Sequence, residues 1–494
     1  MSRLLPLGGG IIGPAPSPMM LNEAPRPGRS AGLGPVADDR PAGHVGAKAA
    51  RLARAAAAGL AVLPGWVVPV AEGRPALAAG VAAVRQGRPA AARRAVLGHR
   101  LDDALAAELR DAVAGLGGRA IARSSSPLEA DPRWSGAFSS VAEVGPDDVV
   151  AAVRSCWASA FAVDPLKRLG ACRLPPEALE LGVLLQPEIR PVAGGVARVT
   201  RTGPAGGAEV TVEGVRGHPG ALLSGWAESA SARVPLPGTT AVTGGPTAGQ
   251  TPAGPAAGGL AGLLGPEMVA AVAALAGHAW RLLGDDVIEW AADDGGIWLL
   301  QSQRSGTAAR EAAAEPRAAV DRQAGGGLPA SRAGMPLLAA TVLGRGEHLP
   351  GRPGAPGTAA GRLVACRPHE RPPGDCGDAI LLVDQPVPAL APLLFAARGV
   401  IARTGAAGSH LAEVARSLGV PMVLGCRPEQ VTGTPAVPGG AFLAAIDGST
   451  GDVALLPAAD AGPAPPPGSG VSALPGPHHP APALPAPGPS GQRL

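Results

Sequence analysis

Apolar positions along the chain recur with two periods. Leu411, Val414, Ala415 and Leu418 fall at i, i+3, i+4 and i+7, which predicts a short helix with one apolar face. Gly419 stands where such a helix stops, and Pro421 follows two residues later. An Ala-rich helix is expected from Lys48 onward, and another over Ala151–Phe161, where Trp157 reads as a core residue. Strand patterns occupy Gly65–Val70 after the Pro64 turn, Ala120–Arg123, and a strand pair in LELGVLLQPEIRPVAGGVARV. DDVIEWAADDGGIWLLQSQRS reads as a β-hairpin with DGG at its turn. With a three-residue loop, Asp293 faces Ile297 and Glu289 faces Gln301. GTAAGRLVAC, DAILLVDQPV and GVIART read as further strands, and IDGSTGDVALL as a closing hairpin. The mixture predicts an α/β (α+β) fold class.

These patterns divide the chain. Residues 1–42 and 457–494 are rich in Pro, Gly and polar groups and read as disordered. Structured blocks are expected over 43–304 and 353–456, joined by a linker over 305–352 with a short helix at Met335–Leu343. Such a join reaches at most about 150 Å fully extended, or about 40 Å as a flexible coil. Either span lets a small domain move between separated sites.

Composition narrows the classes of function. The chain has 494 residues, 46% hydrophobic, with 73 Gly, 56 Pro, four Phe, seven Trp and no Tyr. A net charge of +3, with no basic stripe and few aromatic rings, argues against nucleic-acid binding. Cys156, Cys172, Cys366, Cys376 and Cys426 form no C-x-x-C pair, so neither a disulfide framework nor a structural zinc site is expected. That usage suits a reduced, cytoplasmic setting. No apolar run reaches membrane-span length, and Pro and Gly interrupt any signal-peptide core at the start.

Chemistry concentrates around His410. A histidine in the first turn of a helix is held neutral by the dipole, and a phosphate placed there is stabilised by unpaired N–H groups. Arg403 and Arg416 are the nearest cations in sequence, and Ser409 could cap the helix or orient the ring. Far upstream, Lys48 opens a helix, a placement that an anionic ligand would explain. Arg123 ends a strand followed by three serines, and its planar fork suits phosphate. Glu289 beside Gln301 offers hard oxygen donors for Mg²⁺ shared with phosphates.

The stretch from Thr404 to Gly425, with Gly405, Ser409, His410, Ala412, Ala415, Arg416, Val420 and Pro421, resembles the swivelling phosphohistidine domain of the PEP synthase, pyruvate phosphate dikinase and rifampin phosphotransferase family. Gly46, Lys48, Leu52, Gly59, Val62, Pro64 and Gly65 resemble the opening of that family's ATP-grasp-like nucleotide-binding domain. Arg123, Ser124, Ser125, Gly136 and Ser140 match its next motif, Gln186 a glutamine beside the nucleotide, and Glu289 and Gln301 its metal and nucleotide positions. The resemblance implies ATP and Mg²⁺ as cofactors, with Lys48, Arg123, Gly136, Ser140, Gln186, Glu289 and Gln301 binding nucleotide and Glu289 and Gln301 the metal. His410 would take a phosphoryl group and pass it to an acceptor, with Gly405 and Gly408 letting backbone approach the phosphate.

Three departures qualify that expectation. Gln303 stands where the family has a phosphate-touching arginine, and Arg304 next door would point to the opposite face of the strand. Arg216–Gly225 aligns with a GLGE motif but lacks its glutamate. The usual substrate domain is not apparent, so the acceptor is a small molecule or is held by a separate protein. The readings are therefore an ATP-dependent phosphotransferase of the dikinase type, or a phosphocarrier or degenerate nucleotide-binding regulator.

Overall fold

Three sheets organise the chain in a computed structural model that describes residues 5–7, 42–202, 207–236, 259–305, 338, 342–367, 379–433 and 441–461. The first holds β1 (Leu5–Leu7), β2 (Gly65–Val68), β3 (Ala120–Ser125), β4 (Ser140–Val144) and β5 (Gly182–Pro187), in the order β1-β2-β5-β3-β4. One face packs on the helices Val70–Arg85, Asp103–Gly115 and Val149–Ala158, burying Leu77, Leu109, Val153 and Trp157. β2 is shorter than its apolar run because Pro69 cannot donate a ladder hydrogen bond, and a helix begins at Val70. Leu5–Leu7, within the leader expected to be disordered, pairs antiparallel with β2.

The second sheet holds β6 (Ala193–Thr202), β7 (Gly207–Arg216), β8 (Ala230–Pro235), β9 (Val287–Asp293) and β10 (Gly296–Gln303), in the order β10-β9-β6-β7-β8. Ile288, Trp290 and Ala292 point from β9 into a core shared with the helices Pro266–Leu283 and Ala47–Ala57. The alternate residues Val287 and Glu289 are thereby turned to the other face. That face is the one that matters for the site.

The third sheet has eight strands, mixed parallel and antiparallel. They are β11 (Glu347–Leu349), β12 (Arg352–Ala355), β13 (Thr358–Cys366), β14 (Ala379–Val383), β15 (Gly399–Ala402), β16 (Met422–Leu424), β17 (Phe442–Asp447) and β18 (Asp452–Pro457). β13, β14, β15 and β16 pair in parallel, and the helix His410–Leu418 connects β15 to β16. The helix follows its expected apolar face: Leu411, Val414 and Ala415 are buried, and Gly419 ends it in the left-handed conformation. Regular structure precedes the expected 353, with Leu338 and Val342–Arg345 helical. Val342 is buried against Ala360, Ala445 and Ala454, and β11 pairs with β18. The short helix expected at Met335–Leu343 lies mostly outside the described residues, as do most of the leader and the join and nearly all of the tail.

Candidate functional site

The Glu289–Gln301 pair forms, but by a route the sequence did not show. The hairpin turn is tighter than expected, so Asp293 faces Gly296 rather than Ile297. A bulge between Leu299 and Gln301 then inserts one residue, and Glu289 faces Gln301 after all. The bulge also frees the Leu300 carbonyl, which accepts a hydrogen bond from Arg123 Nη1 at 2.7 Å. One irregularity thus pairs two oxygen donors and ties the first sheet to the second.

Registers across the second sheet extend this site. Val196, Glu289 and Gln301 form one transverse row, and Arg198, Val287 and Gln303 the next. Opposed residues share a face, so Arg198 and Gln303 lie on the face that carries Glu289. Gln303 is buried, while Arg304 turns outward and donates to the Gly284 carbonyl. No hydrogen bond or ion pair engages the Glu289 carboxylate among the described residues. Nor do those residues contain a cluster of three or more His, Cys, Asp or Glu able to hold a metal alone. A single carboxylate with a neighbouring amide fits Mg²⁺ that takes its remaining ligands from phosphate and water.

Arg123 and Gln186 meet on the first sheet. Ile121 opposes Gln186 and Arg123 opposes both Leu184 and Ser140, which sets all five on one face. Arg123 Nη1 donates to Gln186 Oε1 at 3.2 Å, and Gln186 Nε2 donates to the Leu63 carbonyl at 2.9 Å. Each end of the Gln186 amide thus has a protein partner, and its oxygen helps to orient Arg123. Burial lowers the Arg123 pKa, against the opposing fields of Glu289 and Glu129. Its remaining N–H groups have no partner among the described residues, as an anion-binding guanidinium requires. Ser140 is exposed at the start of β4. Lys48 Nζ donates to the Ser124 carbonyl at 2.9 Å and pairs with Glu129 at 3.2 Å.

His410 reaches this face from the third sheet. Its Nδ1 lies 3.0 Å from Ser135 Oγ. Gly136 makes room: a Cβ there would stand 2.8 Å from His410 Cγ, and its φ is +64°. The close approach that Gly136 permits is thus by the imidazole. Burial holds His410 below its ordinary pKa, with Glu289 pulling upward and Lys48 and Arg168 pushing down. Glu289 belongs to β9, whereas Lys48 and Arg168 stand on the helices Ala47–Ala57 and Val163–Cys172. Ser409 caps the helix, accepting from Ala412 N, and does not hold the ring.

Other residues dock the helix. Glu413 Oε2 accepts from Arg198 Nη2 at 2.6 Å and from Arg416 Nη2 at 3.1 Å. Burial alone would raise the Glu413 pKa, but the two guanidiniums outweigh it and hold it at about 2. Arg416 is buried, spending its other donors on the Gly354 and Ala407 carbonyls, so it is neither solvated nor aimed at a phosphate. Arg403 pairs with Asp384 and Glu429 instead. Gly408 N donates to Glu213 Oε2 at 3.1 Å, and a Cβ on Gly408 would meet Val196 at 3.0 Å. Gly405 lies against Pro386. Both glycines serve packing contacts, not a phosphate cradle.

Ser135, Arg168, Arg198, Glu129 and Glu413 are the residues that sequence reasoning missed. Their partners across the site lie far along the chain, but local spacing held signals: the Ser126–Glu129 capping box, the Asp164–Arg168 pair four apart and the Glu413–Arg416 pair three apart.

Two family models match. The AMP/ATP-binding domain of pyruvate phosphate dikinase matches residues 42–243, and the mobile domain of PEP-utilising enzymes matches residues 376–451. No curated protein matches. Among solved structures, holo aconitase X of Thermococcus kodakaraensis is similar at 19% identity, covering 22% of this chain and 99% of that one, with a TM-score of 0.18. A UPF0107 protein solved in solution is similar at 16% identity, with 22% and 99% covered and the same TM-score of 0.18. Scores that low carry no argument about fold or activity. The two domain matches, in chain order and together spanning more than half of the sequence, place the chain in the PEP synthase and pyruvate phosphate dikinase family.

Proposed function

We propose that this chain is an ATP-dependent phosphotransferase in which His410 takes a phosphoryl group from ATP and hands it to an acceptor. The observation that carries the reading is the position of His410, hydrogen-bonded to Ser135 and packed on Gly136, with neighbouring Gly408 against Val196 of the Glu289–Gln301 row. Arg123 and Lys48 would bind phosphate oxygens, with Lys48 exchanging its contact to Glu129 for the stronger anion. Glu289 and Gln301 would hold Mg²⁺, which supplies charge neutralisation on the phosphates. Neutral His410 would attack in line, and by family resemblance ATP would end as AMP and phosphate. Release of the docked helix would then free the phosphohistidine to meet its acceptor, a small molecule or a substrate held by another protein.

Incubating the full chain with Mg²⁺ and ATP labelled at the β or γ phosphate tests this. Label on His410 with AMP formed is the expected result, and His410→Ala should abolish labelling while sparing ATP binding. Labelling that survives His410→Ala would move the site elsewhere. Failure to bind nucleotide would leave the alternative of a degenerate regulator, which Gln303 in place of an arginine favours.

A further inference from the structure

The contact between Ser135 and His410 does more than fix a position. A neutral imidazole carries its proton on one nitrogen and a lone pair on the other. If Nδ1 carries the proton, it donates to Ser135 Oγ at 3.0 Å and leaves Nε2 with its lone pair. If Nε2 carries it, neither nitrogen is free: Nε2 is protonated and Nδ1 accepts from the serine.

Ser135 is held for such a role. Arg168 Nη1 donates to the Ser135 carbonyl at 3.0 Å and to the Arg133 carbonyl at 2.7 Å. Arg168 is fully buried and is itself clamped by Asp164, at 2.8 Å to Nε and 2.7 Å to Nη2. Beneath the turn, buried Trp134 stacks on Phe138 with the planes 5° apart. The serine is presented on a rigid corner of one domain, whereas the histidine belongs to another.

We propose that Ser135 is a positioning residue that selects the Nδ1–H tautomer of His410, so that docking of the mobile domain itself turns His410 into an Nε2 nucleophile. The proposal rests on the phosphotransferase reading. In the step it serves, the Nε2 lone pair forms the N–P bond. The P–O bond between the β-phosphorus and AMP breaks, and its electron pair leaves on the AMP phosphate oxygen; water then cleaves the γ-phosphate from the pyrophosphoryl group left on Nε2. The proton stays on Nδ1, and the positive charge gained by the ring is shared with Ser135 Oγ. Away from Ser135 the tautomers equilibrate, and the preference is lost.

The experiment compares the parent chain with Ser135→Ala at saturating labelled ATP and Mg²⁺, and reads the phosphohistidine isomer by ³¹P–¹⁵N NMR. One hydrogen bond sets the scale, so labelling should slow about tenfold with the ATP half-saturation unchanged. The parent should carry phosphate on Nε2 alone, and Ser135→Ala should add the Nδ1 isomer. Labelling of Ser135→Ala at the parent rate, on Nε2 only, would overturn the proposal, as would a defect confined to ATP half-saturation. No label on His410 of the parent would instead bring down the phosphotransferase reading, with this proposal following it.

Discussion

Arg198 Nη2 stands 2.6 Å from Glu413 Oε2, joining a strand of the nucleotide-binding half to the helix that carries His410. The apolar part of the same contact is one small cluster of Val196, Leu222, Val287 and Ala406. It contributes on the order of a few kcal/mol. The Arg352–Glu228 bridge at 3.3 Å is half-exposed and worth about 1 kcal/mol at most. The Arg198–Glu413 pair is the best buried ion pair across the junction, beside the Gly408–Glu213 and Ser135–His410 hydrogen bonds.

Arg198→Met should weaken docking by about 3 kcal/mol, roughly a hundredfold in the docked fraction. Glu413 keeps Arg416, so the mobile domain itself should stay folded. Small-angle scattering with and without ATP reads the docked fraction. An unchanged scattering profile, with unchanged His410 labelling, would show that the pair does not hold the two halves together.

Gly136→Ala attacks the other contact. The added Cβ would stand under 3 Å from three His410 atoms, on a backbone with φ +64°. Positive φ alone costs an alanine about 1 kcal/mol. ATP binding should persist and His410 labelling should fall by at least tenfold. Normal labelling would mean that the ring takes phosphate from a different pose.

The pH dependence of labelling follows from burial of His410. Its pKa is shifted below the ordinary 6.5, so the neutral form prevails at pH 7. The rate should fall at acid pH as the ring takes up a proton, with its half-maximal point below pH 6.5. A half-maximal rate at or above pH 6.5 would contradict a depressed histidine.

Acid stability should report on Glu413. Its folded pKa of about 2 lies below the ordinary 4.5, so its contribution is complete above pH 4.5. It is lost as pH falls from 4.5 towards 2, because the unfolded chain binds the proton first. Chemical denaturation of the parent and of Glu413→Gln across that window should show a steeper acid loss in the parent. Parallel curves would mean that the carboxylate gains nothing from Arg198 and Arg416.

Much of the site was legible residue by residue. His410 at a helix start follows from local periodicity, whereas Arg123, expected at a strand end, lies inside β3, which runs on to Ser125. The pairing of Glu289 with Gln301 was expected for the wrong reason: the turn is tighter and a bulge at Leu300 restores the register. Bulges depend on what the freed carbonyl meets, here Arg123 from another sheet, and a hairpin sequence read alone does not contain that partner. Gly136, Gly405 and Gly408 were expected beside phosphate, yet they meet His410, Pro386 and Val196.

The sequence by itself determined the apolar faces, the helix stop at Gly419 and the mixed α/β class. All of these rest on neighbours within a few positions, where the 3.6 and 2.0 residue periods act directly. Tertiary structure decided which of those residues share a site. Ser135 and His410 are 275 positions apart, and Arg198 and Glu413 are 215 apart. Bringing such pairs together depends on how one sheet packs on another, and the burial that makes them strong exists only once that packing is complete.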